Sequence, residues 1–351
     1  MKKITYAEAI NSAIYNSMLI DNDVICYGLG VTDPKGVFGT TSNLENKFGK
    51  DRVFDIPASE NGITGISIGA GLNKVKSVVT HQRLDFFLLA MDQLVNGAAK
   101  WHYMFGGQLS VPITIRLIIG RGWGQGPTHS QNLQAWFAHI PGLKVVMPST
   151  PKDAKGLLMA SIFDPNPVIY LEHRWLHNAL GDVPDGDFRD IIGKASVITS
   201  GKDITIVAMS YLTIESIKAI NCLKKFNINC ELIDLKTIKP IDWQTIKQSL
   251  KKTGRLLVLD TGYTTGSVAG EIIAKLTIEN FSYFKDAPER IAMPDVPEPT
   301  SFYLTKNFYT NSNSIVKKVV SMLKGDLSII DSLDSDSKMH DVPGDWFEGP
   351  F

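Results

Sequence analysis

The chain has 351 residues, 44% of them hydrophobic and 21% charged, enough for about two domains with a proper core in each and no need of disulfide staples. Lys plus Arg (36) equals Asp plus Glu (36), so no global field draws the protein to nucleic acid or to an acidic membrane surface. The three cysteines, Cys26, Cys222 and Cys230, are odd in number and lack metal-ligand spacing; they read as buried apolar residues in a reducing cytoplasm.

The opening segment has two lysines and then Glu8, Asn11, Asn16 and Asp21, without the long apolar core or small-residue cleavage site of a signal peptide. No window approaches the roughly 18 apolar residues of a spanning helix, which predicts a soluble protein. Thr5-x-x-Glu8 is a capping box, and Ala9, Ile10, Ala13, Ile14 and Met18 space a first amphipathic helix. Short apolar runs then alternate with helical stretches. Residues 24–28, 76–80, 111–118, 145–148 and 168–171 read as buried strands, and residues 60–72, 86–104 and 151–163 as helices. Such alternation predicts an α/β fold with a mostly parallel, doubly wound sheet covered on both faces.

The Pro/Gly/Asp-rich stretch from Gly181 to Asp187 is the best boundary. After it, strands are expected at 204–209, 230–235 and 255–260, and helices at 214–226, 242–250 and 268–276, which make a second, smaller α/β domain. The division is therefore 1–185, 190–323 and a tail, 324–351. From residue 326 onward the tail carries seven carboxylates against Lys338, a net of −6, so the body sums to +6. Such a tail is ordinarily solvated, but Trp346, Phe347 and Phe351 favour docking on a neighbouring surface.

The familiar phosphate and hydrolase signatures are missing. There is no GxxxxGK[ST], GxSxG or HExxH, and Gly120-Arg-Gly-Trp-Gly-Gln-Gly126 lacks the small-residue helix opening of a dinucleotide fold. Three other segments carry chemistry-bearing residues. In Phe54-Asp-Ile-Pro-Ala-Ser-Glu60-Asn-Gly, a strand ends at Pro57 and Glu60 opens a small-residue helix, as either a first-turn carboxylate favoured by the helix dipole or a functional acid. In Leu84-Asp-Phe86-Phe87, aromatics at a helix start are more often core than a cofactor stack. In Gly126-Pro-Thr-His129-Ser-Gln131, a histidine in a Gly-rich loop of an α/β protein points to function rather than core.

Together with Leu143-Lys-Val-Val-Met-Pro-Ser149, Asp164-Pro-Asn-Pro167, Glu231-Leu-Ile-Asp-Leu-Lys236, Ala269-Gly-Glu-Ile272 and Asp286-Ala-Pro-Glu-Arg290, these segments resemble the β subunit of the thiamine-diphosphate-dependent 2-oxoacid dehydrogenases. Its relatives are the pyrimidine-binding and C-terminal domains of transketolase. The resemblance runs over roughly residues 4–323. It implies oxidative decarboxylation of a 2-oxoacid with acyl transfer to a lipoyl acceptor. Glu60 would hold the ring nitrogen of the cofactor's aminopyrimidine and share a proton with that weakly basic ring. Phe86 would pack on the pyrimidine face with Gln82 beside it, and His129 would meet the substrate or its covalent intermediate. A potassium ion is implied on the backbone oxygens of Ile113, Ser161, Ile162, Asp164 and Asn166.

The chain has no GDG motif for the diphosphate and its magnesium, so the resemblance implies half an active site. An α subunit would complete it in an α2β2 assembly, with a β–β contact and a lipoyl acyltransferase as further partners. Departures from the family pattern place the chain in a divergent branch. Gly126-Pro-Thr-His129 is nearer the transketolase form of the loop, whereas Ser59-Glu60-Asn61 lacks the transketolase arginine-glutamate-histidine triplet. Glu172–His177 and Pro299–Tyr303 differ from the common pyruvate and branched-chain patterns. Half of a split ketol transferase or a carboligase is the alternative within enzymes, and a non-catalytic binding subunit the alternative outside them. The presence of Glu60 argues against the last.

Overall fold

The computed structural model describes residues 1–121, 124–326, 328–331 and 341–342. Trp346, Phe347 and Phe351 lie outside the described residues. The strands are β1 (Lys2–Thr5), β2 (Val24–Gly28), β3 (Val53–Asp55), β4 (Lys76–His81), β5 (Ile113–Ile119), β6 (Lys144–Val146), β7 (Val168–His173), β8 (Leu180–Val183), β9 (Ser196–Thr199), β10 (Ile204–Ala208), β11 (Cys230–Asp234), β12 (Thr237–Lys239), β13 (Leu256–Tyr263) and β14 (Glu289–Met293). They build a seven-stranded sheet in the order β12-β6-β7-β5-β4-β2-β3, a five-stranded sheet in the order β14-β13-β10-β11-β9, and the small antiparallel pair β1-β8. Within the large sheet only β12 runs antiparallel, on β6; within the smaller sheet only β9 does, on β11. Two mostly parallel, helix-covered sheets are the architecture expected of the alternating pattern.

β5 shows why the parallel strands read as continuous apolar runs, since all seven of its residues are buried. The exception in chemistry is Arg116 at its centre, fully buried and donating from Nη2 to both carboxylate oxygens of Glu172 on neighbouring β7, at 2.9 and 3.0 Å, and from Nη1 to Thr80 Oγ1 on β4 at 3.2 Å. A buried guanidinium is tolerable only when paired in this way. Burial pushes the Glu172 carboxyl upward and Arg116 works against that push.

The first helix, Tyr6–Ile20, begins at the capping box, with Glu8 N donating to Thr5 Oγ1 at 3.1 Å and Thr5 N donating to Glu8 Oε2 at 2.8 Å. It packs Ile10, Ile14 and Met18, all fully buried, toward the Pro151–Ile162 helix. Each such side chain contributes roughly 1.5–3 kcal/mol of burial.

Several boundaries depart from expectation. The helix expected over 86–104 is broken into a short α-helix, Leu84–Phe87, a 3-10 turn, a π-helical stretch, Gln93–Ala98, and a last α-helix, Ala99–Met104. The wider π turn brings Gly97 close against Ile68 of the Glu60–Leu72 helix, where a Cβ would stand 2.7 Å from Ile68 Cδ1. β3 ends at Asp55 rather than Pro57. Part of the Gly181–Asp187 stretch is strand, because β8 pairs with β1. All three cysteines are free; Cys26 and Cys230 are buried as expected, but Cys222 is only half-buried, at the rim of the Tyr211–Lys224 helix. Among the described residues no helix is long and apolar enough to cross a membrane.

Candidate functional site

The parallel strands β3, β2, β4 and β5 lie side by side, and the segments leaving their carboxyl ends converge. In open α/β sheets this edge is where ligands are bound. Glu60 follows β3, Gln82 and Phe86 follow β4, and His129 lies on the loop after β5, so the topology brings all four to one end of the sheet.

Glu60 is the first residue of the Glu60–Leu72 helix and is 9% exposed. Ser59 at the cap position makes no side-chain cap, and the Glu60 charge sits in the first turn, where the helix dipole favours it. No hydrogen bond from the described residues engages the Glu60 carboxylate. Gln82 lies over the β2 exit: a Cβ at Gly30 would fall 2.6 Å from Gln82 Nε2, and Gly30 itself stands at φ +75°, a left-handed conformation that favours glycine.

The two adjacent phenylalanines part company. Phe87 is fully buried in the core with Leu84 and Phe137, whereas Phe86 is half-buried and takes the His129 ring edge-on, with centroids 5.2 Å apart and planes at 90°. His129 Nδ1 is 3.0 Å from Thr128 Oγ1, which helps to fix the ring's orientation.

Sequence reasoning missed the residues that fix this pair. Gln131 donates to Asp85 Oδ1 from Nε2 at 2.8 Å and from its backbone at 3.4 Å, tying the histidine loop to the Phe86 helix. The other oxygen, Asp85 Oδ2, is buried without a partner among the described residues. Arg83 donates to Gly120 O at 2.9 Å and to Gln125 Oε1, and burial brings its pKa down to about 10. Asp85 and Gln131 stand inside the very segments that point to Phe86 and His129; their mutual contact has no sequence signal.

The five residues of the potassium expectation also come together, at the opposite end of the sheet. Ile113 opens β5, Ser161 and Ile162 close the Pro151–Ile162 helix, and Asp164 and Asn166 form the turn into β7, which pairs with β5. Asn166 N donates to Asp164 Oδ1 at 3.0 Å, Lys144 pairs with the same carboxylate, and Asn166 Oδ1 is buried without a partner among the described residues. An orphaned, buried acceptor oxygen of this kind fits a hard monovalent cation, although the Ser161 carbonyl already accepts from Asp164 N at 3.1 Å. Among the described residues no three His, Cys, Asp or Glu side chains gather as a metal site.

A cleft of about 1170 Å³ opens elsewhere, between the two sheets' helices, lined in part by Trp136, Lys239, Trp243, Tyr263, Glu271 and Arg290. It contains none of Glu60, Gln82, Phe86 or His129.

Residues 2–178 match the family model for the transketolase pyrimidine-binding domain, and residues 193–315 match that for the transketolase C-terminal domain. The pyruvate dehydrogenase E1 component subunit beta of Rhizobium meliloti is 41% identical over 321 residues, 91% of this chain and 70% of that protein. The mitochondrial subunit beta-1 of the same component from Oryza sativa is 39% identical over 320 residues, 90% and 86% of the two chains. The subunit beta of acetoin:2,6-dichlorophenolindophenol oxidoreductase from Cupriavidus necator is 36% identical over 334 residues, 92% and 98%. Among solved structures, a split-gene transketolase in an inactive beta4 tetramer superposes with a TM-score of 0.75 at 18% identity, over 92% of this chain and 98% of that one, a likeness of fold. The chain belongs to the transketolase-like family, in the branch of the β subunits of thiamine-diphosphate-dependent 2-oxoacid dehydrogenases.

Proposed function

We propose that this chain supplies the pyrimidine half of a thiamine-diphosphate site in an α2β2 enzyme that oxidatively decarboxylates a 2-oxoacid and passes the acyl group to a lipoyl acceptor in the cytoplasm. The observation that carries the reading is Glu60, a nearly buried carboxylate at a helix start with no other partner among the described residues, at the same sheet end as Phe86 and His129. When bound, thiamine diphosphate would supply the electron sink for decarboxylation. Glu60 would hold a proton at the pyrimidine ring nitrogen, Phe86 would pack on the ring face, and Gln82 would bound it at the side. His129, its plane fixed by Phe86 and Thr128, would present a ring N–H to developing oxyanion charge. Magnesium and the diphosphate would be held by the α chain, and Asn166 Oδ1 with its neighbouring carbonyls would take potassium.

Exposed apolar side chains near the site support a partner. Ile66 on the Glu60 helix is 64% exposed, Leu89 beyond Phe86 is 71% exposed, and Tyr103 is 88% exposed. Apolar groups of this size cluster on a surface that another subunit covers. A second reading, cleavage of acetoin by the same constellation, is favoured by the Cupriavidus relative, which this chain matches over nearly that protein's whole length.

Co-expression with a candidate α chain, followed by an artificial-acceptor assay over 2-oxoacids, acetoin and ketose phosphates, separates these readings. Turnover with a 2-oxoacid is expected, and Glu60→Ala should lower it by about 10²–10⁴-fold, the usual weight of a positioned acid-base group. Undiminished turnover in that variant would overturn the role of Glu60.

A further inference from the structure

The loop that carries His129 is gripped from two sides. Arg83 holds it from the β4 exit, through Gly120 O and Gln125. Arg121 holds it from the second domain and from the tail. Its side chain is 1% exposed; Nη1 donates to Pro299 O at 2.6 Å, and Nη2 donates to Thr300 O at 3.1 Å and to Asp341 Oδ2 at 3.0 Å. Asp341 is itself 8% exposed and stands 220 positions further along the chain.

Packing reinforces the grip. A Cβ at Gly126 would lie 2.2 Å from Thr300 Oγ1, so the loop rests directly on the segment that Arg121 holds. The Arg121 guanidinium also sits 6.0 Å from the ring centre of Tyr309. Two carbonyls satisfy donors but do not match a full charge. Glu298, the other carboxylate nearby, is engaged by Tyr309 OH at 3.0 Å and by Asn132 Nδ2 at 3.5 Å. Among the described residues Asp341 is thus the carboxylate in direct contact with a buried cation, and removing one partner of such a pair leaves an uncompensated charge.

We propose that Asp341 is a positioning residue that acts as a latch: through Arg121 it fixes the loop after β5 and so holds His129 edge-on to Phe86. Asp341 lies beyond residues 193–315, the part matched by the C-terminal family model.

Hydrogen–deuterium exchange on the full chain tests the latch without any activity. In Asp341→Ala, amides of residues 124–131 and 299–303 should exchange at least tenfold faster, with a smaller rise in Asp341→Asn, which keeps the shape and loses the charge. Amides of β10 and β11 should be unaffected, as should all of these regions in the remote control Glu279→Ala. No local rise in either Asp341 variant, or an equal rise in β10 and β11, overturns the proposal. In the assembled enzyme, an arm that rests on the function proposed above, kcat should fall at least tenfold in Asp341→Ala with KM held within about twofold, because Glu60 and Phe86 are untouched. A wild-type kcat there would refute the positioning role. Absence of any turnover by the wild-type assembly would instead count against the proposed function, leaving the exchange result to decide the latch.

Discussion

His81 closes β4 with both ring nitrogens buried and unpartnered among the described residues, its ring edge-on to Phe87 with centroids 5.0 Å apart. Burial drives its pKa down to about 4. Folding thus holds the ring neutral, whereas the unfolded chain takes up a proton below the ordinary value near 6.5. Stability is full above that value and falls as pH drops toward 4, by roughly 2 kcal/mol for this one group between pH 7.5 and 5. Urea titrations at both pH values should therefore show that wild type loses about 2 kcal/mol more than His81→Leu on acidification. An equal loss in the two proteins would show that the ring is not held neutral. Neighbouring His173 is pushed to about 3 by burial and by Arg83, so the acid limb is expected to be steep even in the variant. At this scale the sequence is a good guide to residues and a poor one to their partners. Glu60, Phe86 and His129 stand out because loops after parallel strands present unusual residue types in recognisable order. Arg121 and Asp341 do not, because no local pattern links residues 220 positions apart.

Among the elements, the Tyr6–Ile20 helix was fully legible, since its cap, its apolar stripe and its length all agree. Thr5→Ala is expected to lower global stability by about 1 kcal/mol, with Glu8→Ala adding less on top than it costs alone, because the two residues form one reciprocal box. An unmoved urea midpoint in Thr5→Ala would mean that packing against the Pro151–Ile162 helix sets the helix start by itself. The stretch 86–104 was legible as helical and not as broken, because a π turn is dictated by what it packs against, here Gly97 on Ile68, rather than by its own periodicity. The short strands β1, β8, β9 and β12 escape for the same reason. Each has three or four residues and is made a strand by a distant neighbour, so its pattern is too brief to carry a period.

For the molecule as a whole, the exposed apolar side chains Ile66, Leu89, Tyr103, Met104 and Phe105 predict a chain that does not remain monomeric. Sedimentation of the isolated chain should show self-association, and Leu89→Asp should weaken it at least tenfold while leaving the thermal midpoint unchanged. A wild-type chain that sediments as a monomer at micromolar concentration would argue against a subunit role. The arrangement of β12 carries a different consequence. Residues 237–239 come from the second half of the chain and finish the edge of the first half's sheet against β6, with Met147 N donating to Lys236 O at 2.7 Å. During synthesis the large sheet keeps an open edge until those residues have left the ribosome, so the first half completes its folding only after much of the second exists. A gene divided between residues 185 and 190 would separate that sheet from its own border. The stretch between the two sheets is therefore a poor place to cut the protein in two.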